Sequence, residues 1–378
     1  MAFVGVENRI NSGDNEYLLK TANDIAESKI VSVLFNDGGI VNTIEKSYEN
    51  GEMDTSVISE MVHGVHTERK SYIEMLIEFS GNLPEAMDNA LWRDRIGRGF
   101  FELGMFPEAE EEFKKAVERN AKYANAYNNL GRTLMNLEKF NAAIGYYEVA
   151  VQLQPEYADY YVDLAEAYLK SGRCKDTVKA CDIALKINVY YARAYYIRAL
   201  GIILNSLNRE DFELSKNYKE NAKKDLNKAV SIDPTLKMGG FERALQLLDQ
   251  ERLREAFENI QVPHISNGFE EYSQKKLATY IKLASSFDSV KEEDIRRYIS
   301  YLESRISENP HFADLHNELG AAYTVLARLI NIRAAEHYRK ALEVNPAFKK
   351  AQKNLKLTEN DERGTELLLR AVLGTRDL

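Results

Sequence analysis

The sequence predicts an all-α protein, an α-solenoid of helix-turn-helix repeats in two arrays behind a helical N-terminal region. Three observations carry that prediction. Small residues recur at a fixed interval, since Gly97, Gly131, Ala165 and Ala199 stand 34 positions apart. A second recurrence has a different period, with Leu283 and Leu319, Ala284 and Gly320, and Phe287 and Tyr323 all 36 apart. The chain also holds only 20 Gly and 7 Pro in 378 residues, against roughly 7% and 5% in average proteins, which favours long helices over many short strands joined by turns.

Residues 1–89 match neither period. They read as helices over about 15–28, 40–50 and 55–79, separated by Asp37-Gly38-Gly39 and Gly51-Glu52-Met53-Asp54. Within them 29–35 is apolar and β-branched enough for a short strand.

From residue 90 the first array begins. Each unit has a second small slot 12 positions after the first (Ala109, Ala143, Thr177) and a third 19 after it (Ala116, Ala150, Ala184). Small residues are needed where two helices of a unit meet, because a larger side chain pushes the axes beyond the usual 8–10 Å. Gly104, Glu138 and Gly172 mark the turns inside units, and Pro155 closes a helix because it lacks a donor. The fourth unit is stretched, with 23 positions from Ala199 to Ala222 in place of 12, so 205–221 absorbs eleven extra residues. Phe241, Ala244, Leu247, Leu253 and Ala256 fit a degenerate fifth unit that reaches about Ile260.

This pattern resembles the tetratricopeptide repeat, whose aromatic-x-x-Leu-Gly-x-x-Tyr, Ala-x-x-x-Phe and closing Pro are matched by Tyr127, Leu130, Gly131, Leu134, Ala143, Tyr147 and Pro155. The first unit departs at Ala121, and the third at Thr177, Cys181 and Val189. The domain reading is then an N-terminal region 1–89, a first array 90–260, a linker 261–268 bracketed by Pro263 and Gly268, a second array 269–357 of 36-residue units ending in a Lys-rich capping helix, and a tail 358–378. The apolar run 367–372 in that tail is expected to fold back on the cap.

The resemblance implies a concave groove lined by the first helix of each unit. Carried onto this sequence, its lining includes Arg98, Asn125, Asn128, Arg132, Asn136, Glu166 and, in the second array, Asn317. Asn offers a donor and an acceptor, and Arg a rigid fork for carboxylates. The two-carboxylate clamp of the family's chaperone-tail receptors is absent, because only Asn129 occupies a matching slot.

Catalytic chemistry finds little footing. Glu60, His63 and His66 have the spacing of metal ligands on a helix, yet no Cys or second acidic ligand joins them, so they read as a polar stripe with no metal. Cys174 and Cys181 lie about 10 Å apart along one helix face in core slots, and read as apolar filling. The sequence therefore points to a scaffold or adaptor that binds a partner protein or peptide, neither an enzyme nor a user of cofactors. The alternative is a peptide- or signal-sensing regulator whose N-terminal helical module acts on a target. A net charge of −9 disfavours nucleic acid, and the lack of a long apolar run leads to the expectation of a soluble cytoplasmic chain that reaches a membrane only through a partner.

Overall fold

The computed structural model describes residues 3–48, 54–237, 240–260, 274, 277–278, 280–281, 291–308 and 313–373. The chain divides into two units, Arg93–Asn267 and Met1–Trp92 together with Gly268–Leu378. The linker expected at 261–268 lies outside the described residues.

The N-terminal region corrects the all-helical expectation. It opens with an antiparallel meander of β1 (Gly5–Ser12), β2 (Asn15–Asp24), β3 (Lys29–Asn36) and β4 (Gly39–Ser47), in that spatial order. Strands β2 and β4 stand where helices were expected over 15–28 and 40–50. Two hairpins turn in two residues: Ser12 pairs Asn15 across Gly13-Asp14, and Asn36 pairs Gly39 across Asp37-Gly38. Asp37 and Gly38 both have positive φ, 48° and 78°, which suits the right-handed twist of the flanking strands.

Helix α1 (Thr55–Gly81), capped by the Asp54 side chain, packs on one face of this sheet. Ile30, Tyr48, Ile58 and Val62 form an apolar cluster there. A chain of polar contacts runs beside it and crosses all four strands. His66 Nε2 lies 2.8 Å from Asn8 Oδ1 on β1 and Nδ1 lies 3.0 Å from Thr21 Oγ1 on β2. Thr21 meets Ser32 on β3 at 2.8 Å. Arg69, one helical turn beyond His66, donates to Ser32 Oγ at 3.1 Å and to Asn42 Oδ1 on β4. Burial pushes the His66 pKa below its ordinary value, with Lys70, His63 and Arg69 acting in the same sense, and pushes Arg69 down to about 10. The polar stripe expected on α1 is thus half buried: His63 is exposed, and His66 faces the sheet. The inward polar residues also break the apolar alternation that would have marked β2 and β3 as strands.

The repeats begin in α2 (Ala90–Glu102). Trp92 packs edge-on against Phe79 of α1, with centroids 5.5 Å apart. Within Arg93–Asn267, α2 is followed by α3 (Phe106–Arg119), α4 (Ala124–Asn136), α5 (Phe140–Leu153), α6 (Ala158–Lys170), α7 (Cys174–Ile187) and α8 (Ala192–Asn208). Then come α9 (Phe212–Ser215), α10 (Tyr218–Ile232), α11 (Phe241–Asp249) and α12 (Leu253–Asn259). The second and third small slots are sealed, since Ala109, Ala143, Thr177, Ala222, Ala116, Ala150, Ala184 and Ala229 are all 0% exposed.

Size is traded between helices at the first slot. A Cβ on Gly97 would stand 2.7 Å from the Phe113 ring, and one on Gly131 would stand 2.6 Å from the Tyr147 ring. In the third unit, Ala165 carries that methyl, and the residue in the Phe113 and Tyr147 slot is the small Cys181. Cys174 and Cys181 are buried, free thiols.

Each turn within a unit closes the same way. Gly104, Glu138, Gly172 and Glu251 have positive φ, and the next residue donates to a carbonyl five residues back, as in Met105 to Phe100 (2.9 Å) and Lys139 to Leu134 (2.8 Å). The stretched fourth unit lengthens its first helix and inserts α9. Asn205, 0% exposed, ties that insertion down: it donates to the Asp211 carbonyl and Ser215 Oγ, both at 2.9 Å, and accepts from the Asp211 N–H at 3.1 Å.

The C-terminal region holds α13 (Glu292–Glu308), α14 (Ala313–Val344) and α15 (Lys349–Leu373). Here a second correction is needed. The 36-residue spacing implies a turn between Gly320 and Ala334, whereas α14 runs unbroken for 32 residues. No residue of α14 takes the positive φ that closes the turns at Gly104, Glu138, Gly172 and Glu251, so the helix runs on. Gly320 is exposed, with nothing within 4 Å of a Cβ added there, so it is not a packing slot. The apolar run 367–372 lies in the last turns of α15 and does not form a separate folded-back segment.

Candidate functional site

The first helices of successive units, α4, α6 and α8, contact one another and present one face. Their side chains on it form a linked set centred on Asp163 of α6, which is 8% exposed. Asp163 accepts from Asn128 Nδ2 at 3.0 Å and from an Arg193 terminal nitrogen at 3.0 Å, and Arg132 Nε stands 4.0 Å away. The other arm of Arg193 pairs with Glu166. Burial opposes the Arg193 charge, yet Asp163 and Glu166 outweigh it and hold its pKa above the ordinary guanidinium value. Tyr147, buried beneath the face, is raised first by burial and then by the Asp163 charge.

Towards α2, a second buried carboxylate repeats the arrangement. Asp94, 3% exposed, accepts from Asn129 Nδ2 at 2.7 Å and Tyr123 Oη at 3.4 Å. Burial raises its pKa, partly countered by Arg98 and those hydrogen bonds. Tyr160 Oη is within reach of Asn125 Oδ1 and, at 3.2 Å, of Gln154 Oε1, its single proton serving one of the two acceptors.

The sequence-derived groove residues separate into three kinds. Asn128, Arg132 and Glu166 come together around Asp163 and Arg193. Of these, Asn128 is only 6% exposed and supports the face from beneath, which corrects its expected role as a contact. Arg132 is engaged rather than free: besides Asp163 it lies over the Phe101 ring, 5.7 Å from the centroid, and 41% of its side chain stays exposed. Arg98 and Asn125 are exposed on the same array, while Asn136 is exposed and donates back to the Arg132 carbonyl at 2.9 Å. Asn317 is exposed on α14, in the other unit.

Sequence reasoning missed the organising role of Asp163 and of Tyr123, which meets Asp94. A signal was present, since Tyr123, Tyr157 and Tyr191 also recur at 34-residue intervals. Among the described residues, no group of three or more His, Cys, Asp or Glu is placed to hold a metal ion, and no helix is long and apolar enough to cross a membrane.

Residues 95–158 and 128–189 match one tetratricopeptide repeat model and residues 212–236 match another. No curated protein matches the chain. Similar solved structures include MamA, with 21% identity and a TM-score of 0.36, covering 49% of this chain and 98% of that one. The thermophilic TPR protein TTC0263 of Thermus thermophilus has 17% identity and a TM-score of 0.34, with coverage of 62% and 98%. YrrB, a TPR protein with an unusual peptide-binding site, has 15% identity and a TM-score of 0.36, with coverage of 50% and 93%.

Proposed function

As a tetratricopeptide repeat protein, this chain, we propose, is a non-catalytic scaffold or adaptor that holds an extended, acidic segment of a partner protein on the face of its first-array helices. The observation that carries this reading is the setting of Arg132. Its guanidinium lies 4.0 Å from Asp163 and over the Phe101 ring while much of the side chain faces solvent. A cation positioned in advance loses less side-chain freedom on binding a carboxylate than a mobile one does. Arg98 occupies the same position one unit earlier and is exposed. Asn125 and Asn136 add exposed polar groups beside them, suited to the backbone amides of an extended peptide.

The test is capture of immobilised acidic peptides by the full chain, compared with Arg98→Ala/Arg132→Ala. Binding should be lost in the double variant and kept in Lys179→Glu/Lys186→Glu, which alters exposed residues of α7. Equal capture by the wild type and the Arg double variant, or loss in the α7 variant alone, would overturn the assignment. Circular dichroism controls the comparison, because removing Arg132 leaves Asp163 with one cation fewer.

A further inference from the structure

The hairpin of α14 and α15 carries a feature that the groove does not use. From Val344 to Thr358 the chain has four lysines, Lys349, Lys350, Lys353 and Lys356, and no acidic residue. All four are exposed, and among the described residues none has a carboxylate partner. Lys349, Lys353 and Lys356 follow the i, i+4, i+7 spacing of one helix face and extend about 10 Å along it. Large apolar side chains stand out beside them: Val344 is 88% exposed, Phe348 45% and Leu357 54%.

The turn that carries Val344 and Phe348 is built. The Ala347 N–H donates to Asn345 Oδ1 and the Phe348 N–H to the Asn345 carbonyl, both at 3.1 Å, and Gln352 Nε2 donates to the Pro346 carbonyl at 2.8 Å. The exposed apolar groups are therefore presented by a hydrogen-bonded hairpin turn. Lys349 and Lys350 also occupy the first turn of α15, where the helix dipole already bears positive charge and a cation costs stability. Such a concentration of unpaired charge, retained against that cost, suits an external anion.

We propose that the α14–α15 tip docks peripherally on an anionic lipid surface, with Val344 and Phe348 entering the headgroup layer and the lysines of α15 lying among acidic headgroups. Lysine suits this partner better than it suits a protein carboxylate. Its ammonium is a flexible point charge that accepts many headgroup positions, whereas paired recognition of fixed carboxylates favours the fork of arginine. The exposed apolar side chains at this turn suit an interfacial layer, which takes them as it takes the apolar face of an amphipathic helix. The attraction acts within a Debye length of the surface, and each lysine adds about fivefold to the affinity, so four together add several hundredfold. No helix crosses the bilayer in this arrangement.

The experiment is co-sedimentation of the full chain with vesicles of phosphatidylcholine alone and of phosphatidylcholine doped with phosphatidylserine, at low and high salt. Binding is expected only to the anionic vesicles and should weaken with salt. Lys349→Glu/Lys350→Glu/Lys353→Glu/Lys356→Glu should abolish it, and Val344→Asp/Phe348→Asp should reduce it severalfold. Lys349→Glu and Lys350→Glu favour the start of the helix, so lost binding in that variant with unchanged helicity reports lost charge. Absence of binding to anionic vesicles, equal binding to neutral ones, or wild-type binding by the quadruple variant would overturn the proposal. Capture of an acidic polypeptide by the same lysines without vesicle binding would also overturn it, and would assign the patch to a protein partner.

Discussion

At Gly131 a single absent methyl group decides how closely two helices approach. The Tyr147 ring fills the space where a Cβ would stand, 2.6 Å from the nearest ring atom. Gly131→Ala should therefore destabilise the chain, although alanine is the better helix former, because the clash outweighs a propensity gain of about 1 kcal/mol. Overpacking of this kind costs about 1–3 kcal/mol. Adding Tyr147→Cys to Gly131→Ala recreates the pairing of Ala165 with Cys181 and should recover part of the loss. Denaturation midpoints of the two variants check this, and a Gly131→Ala protein as stable as wild type would mean that the packing of the slot is misassigned. The neighbouring face shows the same dependence on single groups, since Asn128 and Arg193 meet on one carboxylate of Asp163.

Helical elements begin and end where the backbone permits it. The turns after α2 and α6 place Gly104 and Gly172 at φ of 74° and 73°, whereas the turn after α4 uses Glu138 at 57°. A left-handed conformation costs a residue with a Cβ roughly 1–2 kcal/mol. Glu138 is exposed, so Glu138→Gly should remove that strain, less the larger chain entropy that glycine loses on folding. A net gain of about 0.5–1 kcal/mol is expected, with Gly172→Glu losing a comparable amount. Thermal melts of the two variants test the pair, and shifts of the same sign would sink the turn argument. In α14 no residue takes a left-handed conformation where a turn was expected, and the chain continues as one helix.

Within the whole molecule, one buried group in each unit answers to acid in the opposite sense. His66 is held below its ordinary pKa of 6.5, so between its folded and unfolded values the unfolded chain binds more protons. The stability contributed by neutral His66 is thus complete above 6.5 and is lost as pH falls through that window. Asp94, in the repeat unit, has a raised pKa; folding there takes up protons, and stability increases as pH falls from above its folded value towards its unfolded one. Hydrogen exchange at about pH 7.5 and about pH 5.5, corrected for intrinsic rates, should show protection falling in β1–β4 on acidification, while α4 and α6 keep theirs. Equal loss in both units, or loss confined to the helices, would refute a His66-centred effect.

By itself the sequence determined the repeats of the first array, their register, their sealed small-residue slots and most of their turns. Each unit contacts chiefly its neighbours, so the requirement for small and large side chains returns every 34 residues and can be read along the chain. The exposed members of the candidate face, Arg98, Asn125 and Asn136, were legible for the same reason. Tertiary structure decided what depends on partners outside that period. The sheet was hidden because Thr21 and Ser32 point inward to meet His66 and Arg69, which lie 45 and 37 residues away along the chain. It also decided that Asn128 is buried under the face and that Arg132 is held from below, since a side chain's exposure depends on which charges close over it. In the C-terminal region a similar spacing of residues did not make similar turns. A repeat in sequence becomes a repeat in space only where the backbone can turn and the small residue has a neighbour to receive.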